Sequence, residues 1–339
     1  MTKDRTRTHN KIYHNIFLYV TERCQLRCNH CYMGSRLESS IDMSFDRSIF
    51  IMDYFRKLGA EYITFVGGEP TLHSELPKMV DYASNSGYEK IYIDTNGLSI
   101  KRILNISPDK LAYIRISLDG IKAETHELNR GSGTFAKTIE SIKILVENGY
   151  QVGITFTVFK FNIHEALKLL LLAEELGIKL VNYHVFSEEG RGVERINWSV
   201  SPYEWIDFYE QLELQKNNFN ASIWFPPTWS SPEKIGQYLQ EGYRGCLGCY
   251  IDRLSIFPNG ESYICSVLFD EPIYYGKISE EGFSLNRNEN EFEMFINAML
   301  SAHEGWMSGC PAEKILEKHG KNKTPQNLIS LCRCWKSQI

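Results

Sequence analysis

The first half of the chain alternates short apolar runs with stretches of helical periodicity, and this alternation restricts the folds that it can adopt. Runs rich in Ile, Val, Phe and Tyr predict buried strands at residues 16–20, 62–66, 90–94, 113–118, 152–158 and 180–186. In the intervals, Thr134 and Asn162 are candidate helix caps and Gly149 is a stop signal. Six consecutive βα units predict a parallel α/β sheet with right-handed crossovers, as an open doubly wound sheet or as a partial barrel.

Chemically distinctive motifs follow these strands, at the edge where parallel α/β folds build their sites. A cysteine-rich loop follows the first strand, and a Gly-Gly-Glu-Pro run at residues 67–70 follows the second. Asp-Thr-Asn-Gly at 94–97 and Ser-Leu-Asp-Gly at 117–120 come at the ends of the third and fourth strands. His184 and Phe186 end the sixth. We therefore expect one functional site on this rim.

Cys24, Cys28 and Cys31 have a CxxxCxxC spacing, which lets one loop present three thiolates to a single inorganic cluster. A [4Fe–4S] cluster normally takes four cysteines, so three leave one iron open to a substrate or cofactor. The alternatives are a structural zinc site with His30 as fourth ligand and a redox pair made by Cys28 and Cys31. The third cysteine and the downstream glycine run favour the cluster.

Together with the run at residues 67–70, this loop resembles the radical S-adenosylmethionine (SAM) superfamily. The resemblance implies a (β/α)6 partial TIM barrel in which Cys24, Cys28 and Cys31 hold a [4Fe–4S] cluster and the open iron chelates SAM. In that superfamily, one-electron reduction splits SAM into methionine and a 5′-deoxyadenosyl radical, which abstracts a substrate hydrogen atom. The cofactor performs the radical reaction, and the protein binds it and orients it towards the substrate.

The resemblance also implies roles for residues around the cofactor. The backbone groups of Gly67, Gly68 and Glu69 are expected to meet the amino group of SAM. Ser117 is expected to contact the ribose. Arg130 is expected to pair with the carboxylate, because a guanidinium fork can bind both carboxylate oxygens. For Arg130 the alternative is a surface ion pair.

Other residues on the rim have simpler interpretations beside the functional ones. Asn96 is either a SAM ligand or part of an Asn-Gly turn. Tyr32 and Phe186 either flank the adenine or belong to the core. Three residues at the end of the sixth strand or just after it, where substrate is expected, are candidates for a general base: His184, Glu188 and Glu189. For each of them, a structural role is the alternative.

A second set of cysteines lies in the last third of the chain: Cys246, Cys249, Cys265, Cys310, Cys332 and Cys334. An apolar run into the turn at Gly260 and a returning run predict a hairpin that brings Cys265 beside the Cys246-Leu-Gly-Cys249 knuckle. Structural zinc is one interpretation of this set. The spacing of Cys249, Gly260 and Cys265 instead resembles the opening of SPASM and twitch domains, which hold auxiliary Fe–S clusters.

Full SPASM domains carry seven cysteines, and this chain has six in the corresponding region. We therefore expect one auxiliary [4Fe–4S] cluster, and the alternative is two clusters with open or non-cysteine ligands. The expected ligands are Cys246, Cys249, Cys265 and Cys310. Cys332 and Cys334 are alternatives to Cys310 as the fourth ligand.

The resemblance covers nearly the whole chain and predicts three parts. These are the partial barrel at residues 12–192, a connecting helical segment at 193–240 and a small SPASM/twitch-like auxiliary iron–sulfur domain at 241–339. Within the connection, Ser201, Pro202 and Glu204 predict the start of a capped helix.

The composition of the chain restricts which partners it is expected to bind and in which cellular compartment it is expected to lie. The net charge of −5 leaves no basic excess for nucleic acid. No apolar run approaches the roughly 18 residues that span a bilayer, and the N-terminus lacks the apolar core of a signal peptide. Nine cysteines without an export signal indicate a reducing compartment. We expect a cytoplasmic protein that has neither nucleic acid nor membrane as a partner.

The expected function is that of a radical SAM enzyme that modifies a peptide side chain or a small polar metabolite by crosslinking, oxidation or epimerisation. A flavodoxin or ferredoxin is the expected electron donor. The chain begins almost directly at the first strand, which favours a small substrate or a separate leader-binding partner over an N-terminal peptide-binding domain.

Two other functions compete with this one. The first is a molybdenum-cofactor-type GTP 3′,8-cyclase, although those chains end in Gly-Gly and this one ends in Lys-Ser-Gln-Ile. The second is a non-catalytic Fe–S redox or scaffold protein, in which the Gly-Gly-Glu-Pro run would have no purpose.

Overall fold

A computed structural model describes the chain at residues 14–241, 253–269, 274–285, 310 and 324–332. The α/β fold expected from the sequence is confirmed. All six predicted strands are present, and each of their ends differs from the prediction by at most one residue. Their side chains are buried on both faces along most of their length, as expected for strands covered by helices on one side and by a barrel interior on the other.

The described strands are β1 (Asn15–Thr21), β2 (Tyr62–Gly67), β3 (Lys90–Thr95), β4 (Tyr113–Ser117), β5 (Val152–Val158), β6 (Leu180–Val185), β7 (Ser222–Trp224), β8 (Trp229–Ser230), β9 (Arg253–Ile256), β10 (Glu261–Tyr263), β11 (Gly276–Ser279), β12 (Gly282–Leu285) and β13 (Ile329–Ser330). The described helices are α1 (Arg36–Ser39), α2 (Phe45–Lys57), α3 (Leu76–Asn85), α4 (Ala123–Arg130), α5 (Thr134–Glu147), α6 (Ile163–Ala166), α7 (Lys168–Glu175), α8 (Pro202–Gln215) and α9 (Ile235–Gln240).

One sheet carries most of these strands, in the order β12-β11-β10-β9-β1-β2-β3-β4-β5-β6-β7. The strands from β9 to β7 are parallel neighbours, whereas β9 to β12 form an antiparallel meander. Asn15 of β1 faces both Tyr62 of β2 and Arg253 of β9. The C-terminal hairpin therefore extends the sheet of the barrel. The predicted division of the chain at residues 192 and 240 stays a prediction.

The helix boundaries agree with the sequence signals in most places. Gly149 follows α5 with a φ of +85°, a left-handed conformation that suits glycine. The prediction of Thr134 as a cap was wrong, because Gly133 holds that position with a φ of +74° and Thr134 is the first helical residue. Asn162 occupies the predicted cap position of α6 but its side chain makes no capping hydrogen bond, and the helical stretch after it is divided into α6 and α7.

The predicted capping box of α8 is confirmed. The Ser201 hydroxyl accepts from the Glu204 backbone N–H at 3.2 Å, and the Glu204 carboxylate accepts from the Ser201 N–H at 2.7 Å. Pro202 occupies the first turn, where a missing N–H costs nothing. Among the described residues, no helix combines the length and the apolar character needed to cross a lipid bilayer.

Candidate active site

A single pocket lies at the carboxyl ends of β1 to β4. Its lining includes Cys24, Cys28 and Cys31 together with seven of the eight residues predicted to contact the cofactor: Tyr32, Gly67, Gly68, Glu69, Asn96, Ser117 and Arg130. The eighth, Phe186, is buried and packs against Phe159 with ring centroids 5.1 Å apart, so it lies in an aromatic cluster rather than in this lining. The structure thus brings the loops of four strands to one place.

The three thiols of the cysteine loop are largely withdrawn from water. Burial raises the pKa of Cys24 to about 12 and that of Cys31 to about 11, and it also raises the pKa of Cys28. Thiols in this environment are protonated unless a metal centre stabilises the thiolates. The Leu26 N–H lies 3.4 Å from the Cys24 sulfur, which is the kind of donor that thiolate ligands accept. This donor set fits an iron–sulfur cluster.

His30, the fourth ligand in the zinc alternative, is held by the Asn129 side chain. Its Nδ1 lies 2.9 Å from Oδ1 of the Asn129 side chain, and burial lowers its pKa to about 4. In the part of the chain that the structure describes, no group of three Cys, His, Asp or Glu side chains is close enough to hold a single metal ion directly, so the three cysteines share a pocket without forming a compact single-metal site.

The Gly-Gly-Glu-Pro run packs directly against the chain that leads into the cysteine loop. The N–H groups of Gly68 and Glu69 donate to the carbonyls of Thr21 and Arg23, both at 2.8 Å. A Cβ on Gly67 would lie 2.4 Å from the Thr21 oxygen, and one on Gly68 would lie 2.4 Å from the Arg23 oxygen. Only glycine permits this close approach, and the run therefore fixes the position of the loop.

The Glu69 carboxylate has a role that the sequence did not reveal. It is buried and accepts from the Asn96 N–H at 2.8 Å and from the Thr71 and Thr95 hydroxyls at 2.6 and 2.7 Å. Burial raises its pKa, although these donors oppose the effect. The side chain ties the loop after β2 to the loop after β3, and it holds Asn96 with its Nδ2 3.9 Å from the Cys24 sulfur.

Arg130 is in an ion pair, but the pair is buried rather than on the surface. Its Nε donates to Asp119 at 2.6 Å, and its Nη1 faces the Cys28 sulfur at 4.0 Å. Burial by itself would raise the pKa of Asp119, but the guanidinium and the neighbouring histidines hold it at about 2. Sequence reasoning missed Asp119. A carboxylate at the end of a buried strand, followed by an arginine on the next helix, was the available signal.

Tyr32 and Ser117 lie where the prediction expects them, in the pocket lining. The Tyr32 hydroxyl is 3.2 Å from the Tyr19 hydroxyl, and burial raises the pKa of Tyr32 to about 12. Both phenols are therefore neutral at physiological pH and can only act as hydrogen-bond partners in that state.

The three candidates for a general base lie outside this lining. Tyr183 of β6 points outward, where its hydroxyl donates to the Ala166 carbonyl, so His184 points into the barrel. The His184 side chain is solvent-accessible there, but the surrounding protein and two arginines lower its pKa to about 4. Glu188 accepts from the Ser199 hydroxyl, and Glu189 is buried. Of the three candidates, His184 is the one shown to face the barrel interior, where its Nε2 lies 2.8 Å from Nδ2 of the Asn182 side chain.

The C-terminal cysteines are described in part. The predicted hairpin is present, with Ser262 of β10 facing Ile256 of β9, and Cys265 follows it. The Cys310 N–H donates to the Ser330 hydroxyl at 3.1 Å, which brings Cys310 close to the segment that carries Cys332. The remaining members of this set lie outside the described residues: Cys246, Cys249 and Cys334. Their roles as ligands stay predictions.

Comparisons with known proteins agree with this geometry. Residues 18–173 match the family model "Radical SAM superfamily". The chain is 32% identical over 186 residues to the Fe-coproporphyrin III synthase of Methanosarcina barkeri, covering 54% of this chain and 46% of that protein. It is 26% identical over 311 residues to the subtilosin biosynthesis protein AlbA of Bacillus subtilis, covering 90% of this chain and 64% of that one. The chain thus spans less than two thirds of the length of both proteins.

Among solved structures, native anSMEcpe with bound AdoMet and Kp18Cys peptide has a TM-score of 0.67 at 18% identity, covering 96% of this chain and 94% of that one. At this identity the likeness concerns the fold alone. The family model matches the part of the chain that contains the cysteine loop and the strands whose ends form the pocket.

Proposed function

We propose that this protein is a radical SAM enzyme that modifies a side chain of a peptide substrate. The observation that carries the proposal is one pocket at the carboxyl ends of β1 to β4 whose lining includes the three cysteines of one loop, residues 67–69 and Arg130. When bound, SAM and its cluster supply the radical that abstracts a hydrogen atom from the substrate.

In this proposal the residues of the pocket bind and orient the cofactor. Cys24, Cys28 and Cys31 ligate the SAM cluster. Gly67 and Gly68 hold the neighbouring loop at the distance that their missing side chains permit. The contacts proposed with SAM itself are those of the backbone at residues 67–69 and of the side chains Tyr32, Asn96, Ser117 and Arg130.

The substrate is proposed to enter the barrel interior below this pocket. Asp94 of β3 and Arg115 of β4 form a bidentate ion pair there, with nitrogen–oxygen distances of 2.5 and 3.0 Å. His184 lies on the same inner face, and its imidazole, which is neutral because its pKa is lowered to about 4, can form a hydrogen bond with the substrate. A polar interior of this kind suits the amide groups of a peptide. AlbA by its name, and anSMEcpe by its bound peptide, support this class of substrate.

A modified tetrapyrrole is the second candidate substrate. The observation that favours it is the likeness to the Fe-coproporphyrin III synthase, which has the higher sequence identity of the two curated relatives described above. Incubation with SAM, reductant and either a candidate precursor peptide or an iron coproporphyrin would separate the two, by the mass change of the substrate.

The C-terminal cysteines are proposed to hold one auxiliary [4Fe–4S] cluster, with Cys246, Cys249, Cys265 and Cys310 as ligands. Cys332 and Cys334 stay as alternatives to Cys310. We also propose a flavodoxin or ferredoxin as electron donor and the cytoplasm as the compartment, since a chain with nine cysteines and two low-potential clusters needs a reducing environment.

The enzyme assignment is tested by anaerobic reconstitution followed by SAM and dithionite. The wild-type protein should release 5′-deoxyadenosine, and a variant with Cys24, Cys28 and Cys31 replaced by Ala should not. Wild-type turnover in the triple variant, or no 5′-deoxyadenosine from fully loaded wild-type protein, would refute the proposal.

A further inference from the structure

The Arg130 guanidinium stands between a buried carboxylate and the cysteine loop. Its Nε donates to Oδ2 of Asp119 at 2.6 Å, while its Nη1 lies 4.0 Å from the Cys28 sulfur and the side chain lines the pocket. Asp119 is 0% exposed and Arg130 is 8% exposed. One edge of the guanidinium is thus anchored, and another edge faces the site.

The carboxylate that anchors it is itself held from several directions. The Thr157 N–H of β5 donates to its Oδ1 at 3.0 Å, and the Asn129 amide donates to its Oδ2 at 2.7 Å. The Asn162 amide donates to the Asp119 backbone carbonyl at 2.9 Å. Because β5 and α4 both fix this group, the orientation of Arg130 is also fixed.

A purely stabilising role does not account for this arrangement. A buried ion pair often contributes little net stability, because the desolvation of two charges offsets their attraction. Here the pair lies in the pocket that the three cysteines line, and in the proposed function an oriented cation there has a direct use because the carboxylate of SAM is an anion.

We propose that Asp119 is a positioning residue that holds the Arg130 guanidinium against the Cys28 sulfur, so that Arg130 can bind the carboxylate of SAM. This inference rests on the proposed function, which supplies the cluster and SAM. Asp119 touches neither of them and acts only through Arg130.

Replacement of the carboxylate by an amide removes the anchor and keeps the shape. In Asp119→Asn one face of the amide can still accept from Thr157, but its NH2 group meets the N–H donors of Arg130 and Asn129. Loss of a charge-assisted hydrogen bond should raise the dissociation constant for SAM about tenfold. Maximal turnover at saturating SAM should change less than the KM for SAM, because binding orientation rather than the reacting groups is affected.

The test uses the full-length, anaerobically reconstituted protein and measures SAM affinity from the change that SAM causes in the EPR spectrum of the reduced cluster. Asp119→Asn, Arg130→Lys and the double variant are compared. Because Lys lacks the guanidinium fork, Arg130→Lys should also weaken SAM binding. If Asp119 acts through Arg130, the double variant should bind SAM as Arg130→Lys does, with no further loss. Effects that multiply in the double variant, or wild-type affinity in Asp119→Asn, would overturn the proposal.

Asn162→Ala is the matched control, because Asn162 holds the same loop through the Asp119 backbone and makes no contact with the ion pair. It should bind SAM within about twofold of wild type even if it melts earlier. If Asp119→Asn does not load its cluster, Asp119→Glu replaces it, because the longer side chain keeps the charge and displaces the carboxylate that anchors Arg130. That variant should weaken SAM binding in the wild-type background and not in Arg130→Lys, and an equal effect in both backgrounds would contradict the inference.

The failure of this inference can be told apart from the failure of the proposed function. If the wild-type spectrum does not respond to SAM, the function itself is wrong. If the wild type responds and the variants behave independently, only the role of Asp119 is wrong.

Discussion

The close approach of the Gly-Gly-Glu-Pro run to the cysteine loop gives a quantitative prediction for Gly68→Ala. The added Cβ would lie 2.4 Å from the Arg23 carbonyl oxygen, 2.7 Å from the Arg23 carbonyl carbon and 2.8 Å from the Glu22 oxygen. All three neighbours are backbone atoms, so no side chain can rotate away. A separation of about 3.0 Å, the shortest that Cβ atoms ordinarily show, requires the two segments to move apart by about 0.6 Å.

This displacement should have two measurable consequences. Overpacking of this kind lowers the free energy of unfolding by about 1–3 kcal/mol. A shift of about 0.6 Å between the cofactor and the residues that orient it should reduce the rate of 5′-deoxyadenosine formation by about 10- to 100-fold. The assay is SAM cleavage under dithionite, together with iron content and a thermal melt.

Gly236→Ala is the matched control for this prediction. Gly236 lies in α9, and a Cβ built there meets nothing within 4 Å. Alanine in a helix interior should raise the free energy of unfolding by about 0.5–1 kcal/mol and leave SAM cleavage unchanged. If Gly68→Ala cleaves SAM at the rate of Gly236→Ala with full iron content, the argument from close backbone approach is wrong.

Three further predictions address stability, pH and metal content. Tyr183→Phe removes a buried hydroxyl that donates to a backbone carbonyl at 2.6 Å, and it should lower the free energy of unfolding by about 1 kcal/mol. The control is Tyr203→Phe at an exposed position, which should lower the melting temperature less than Tyr183→Phe does. Burial lowers the pKa of both His30 and His126 to about 4. The stability gained from their neutral forms is therefore complete above pH 6.5 and is lost as the pH falls from 6.5 towards 4. His126→Asn should flatten the decline in melting temperature across that pH range, and an unchanged decline would contradict the explanation by burial. Reconstituted wild type should bind about eight irons per chain and Cys265→Ala about four, whereas about four irons with one zinc in the wild type would favour the zinc alternative.

The barrel strands could be predicted because buried parallel strands consist of continuous runs of apolar residues. The motifs that follow them could be placed on one rim because parallel strands all end at the same edge of a sheet. Local rules also located the capping box at Ser201 and Glu204, which depends on residues three apart.

The contacts that organise the site could not be predicted, because they join residues distant in the chain. The Glu69 carboxylate meets the N–H of Asn96, and β1 pairs with β9 across more than two hundred residues. Neither pairing leaves a periodic trace in the sequence. Asp119 and Arg130 are closer in sequence, but the burial that gives their pair its significance depends on how α4 packs against the barrel.

The central claim is that the loop with Cys24, Cys28 and Cys31 holds a cluster with an iron open to SAM. The most direct measurement is the EPR spectrum of the dithionite-reduced protein in a variant that lacks Cys246, Cys249, Cys265 and Cys310, so that only this cluster contributes. Addition of SAM should change the spectrum, because SAM becomes a ligand of the open iron. A [4Fe–4S] spectrum that SAM leaves unaltered would contradict the account.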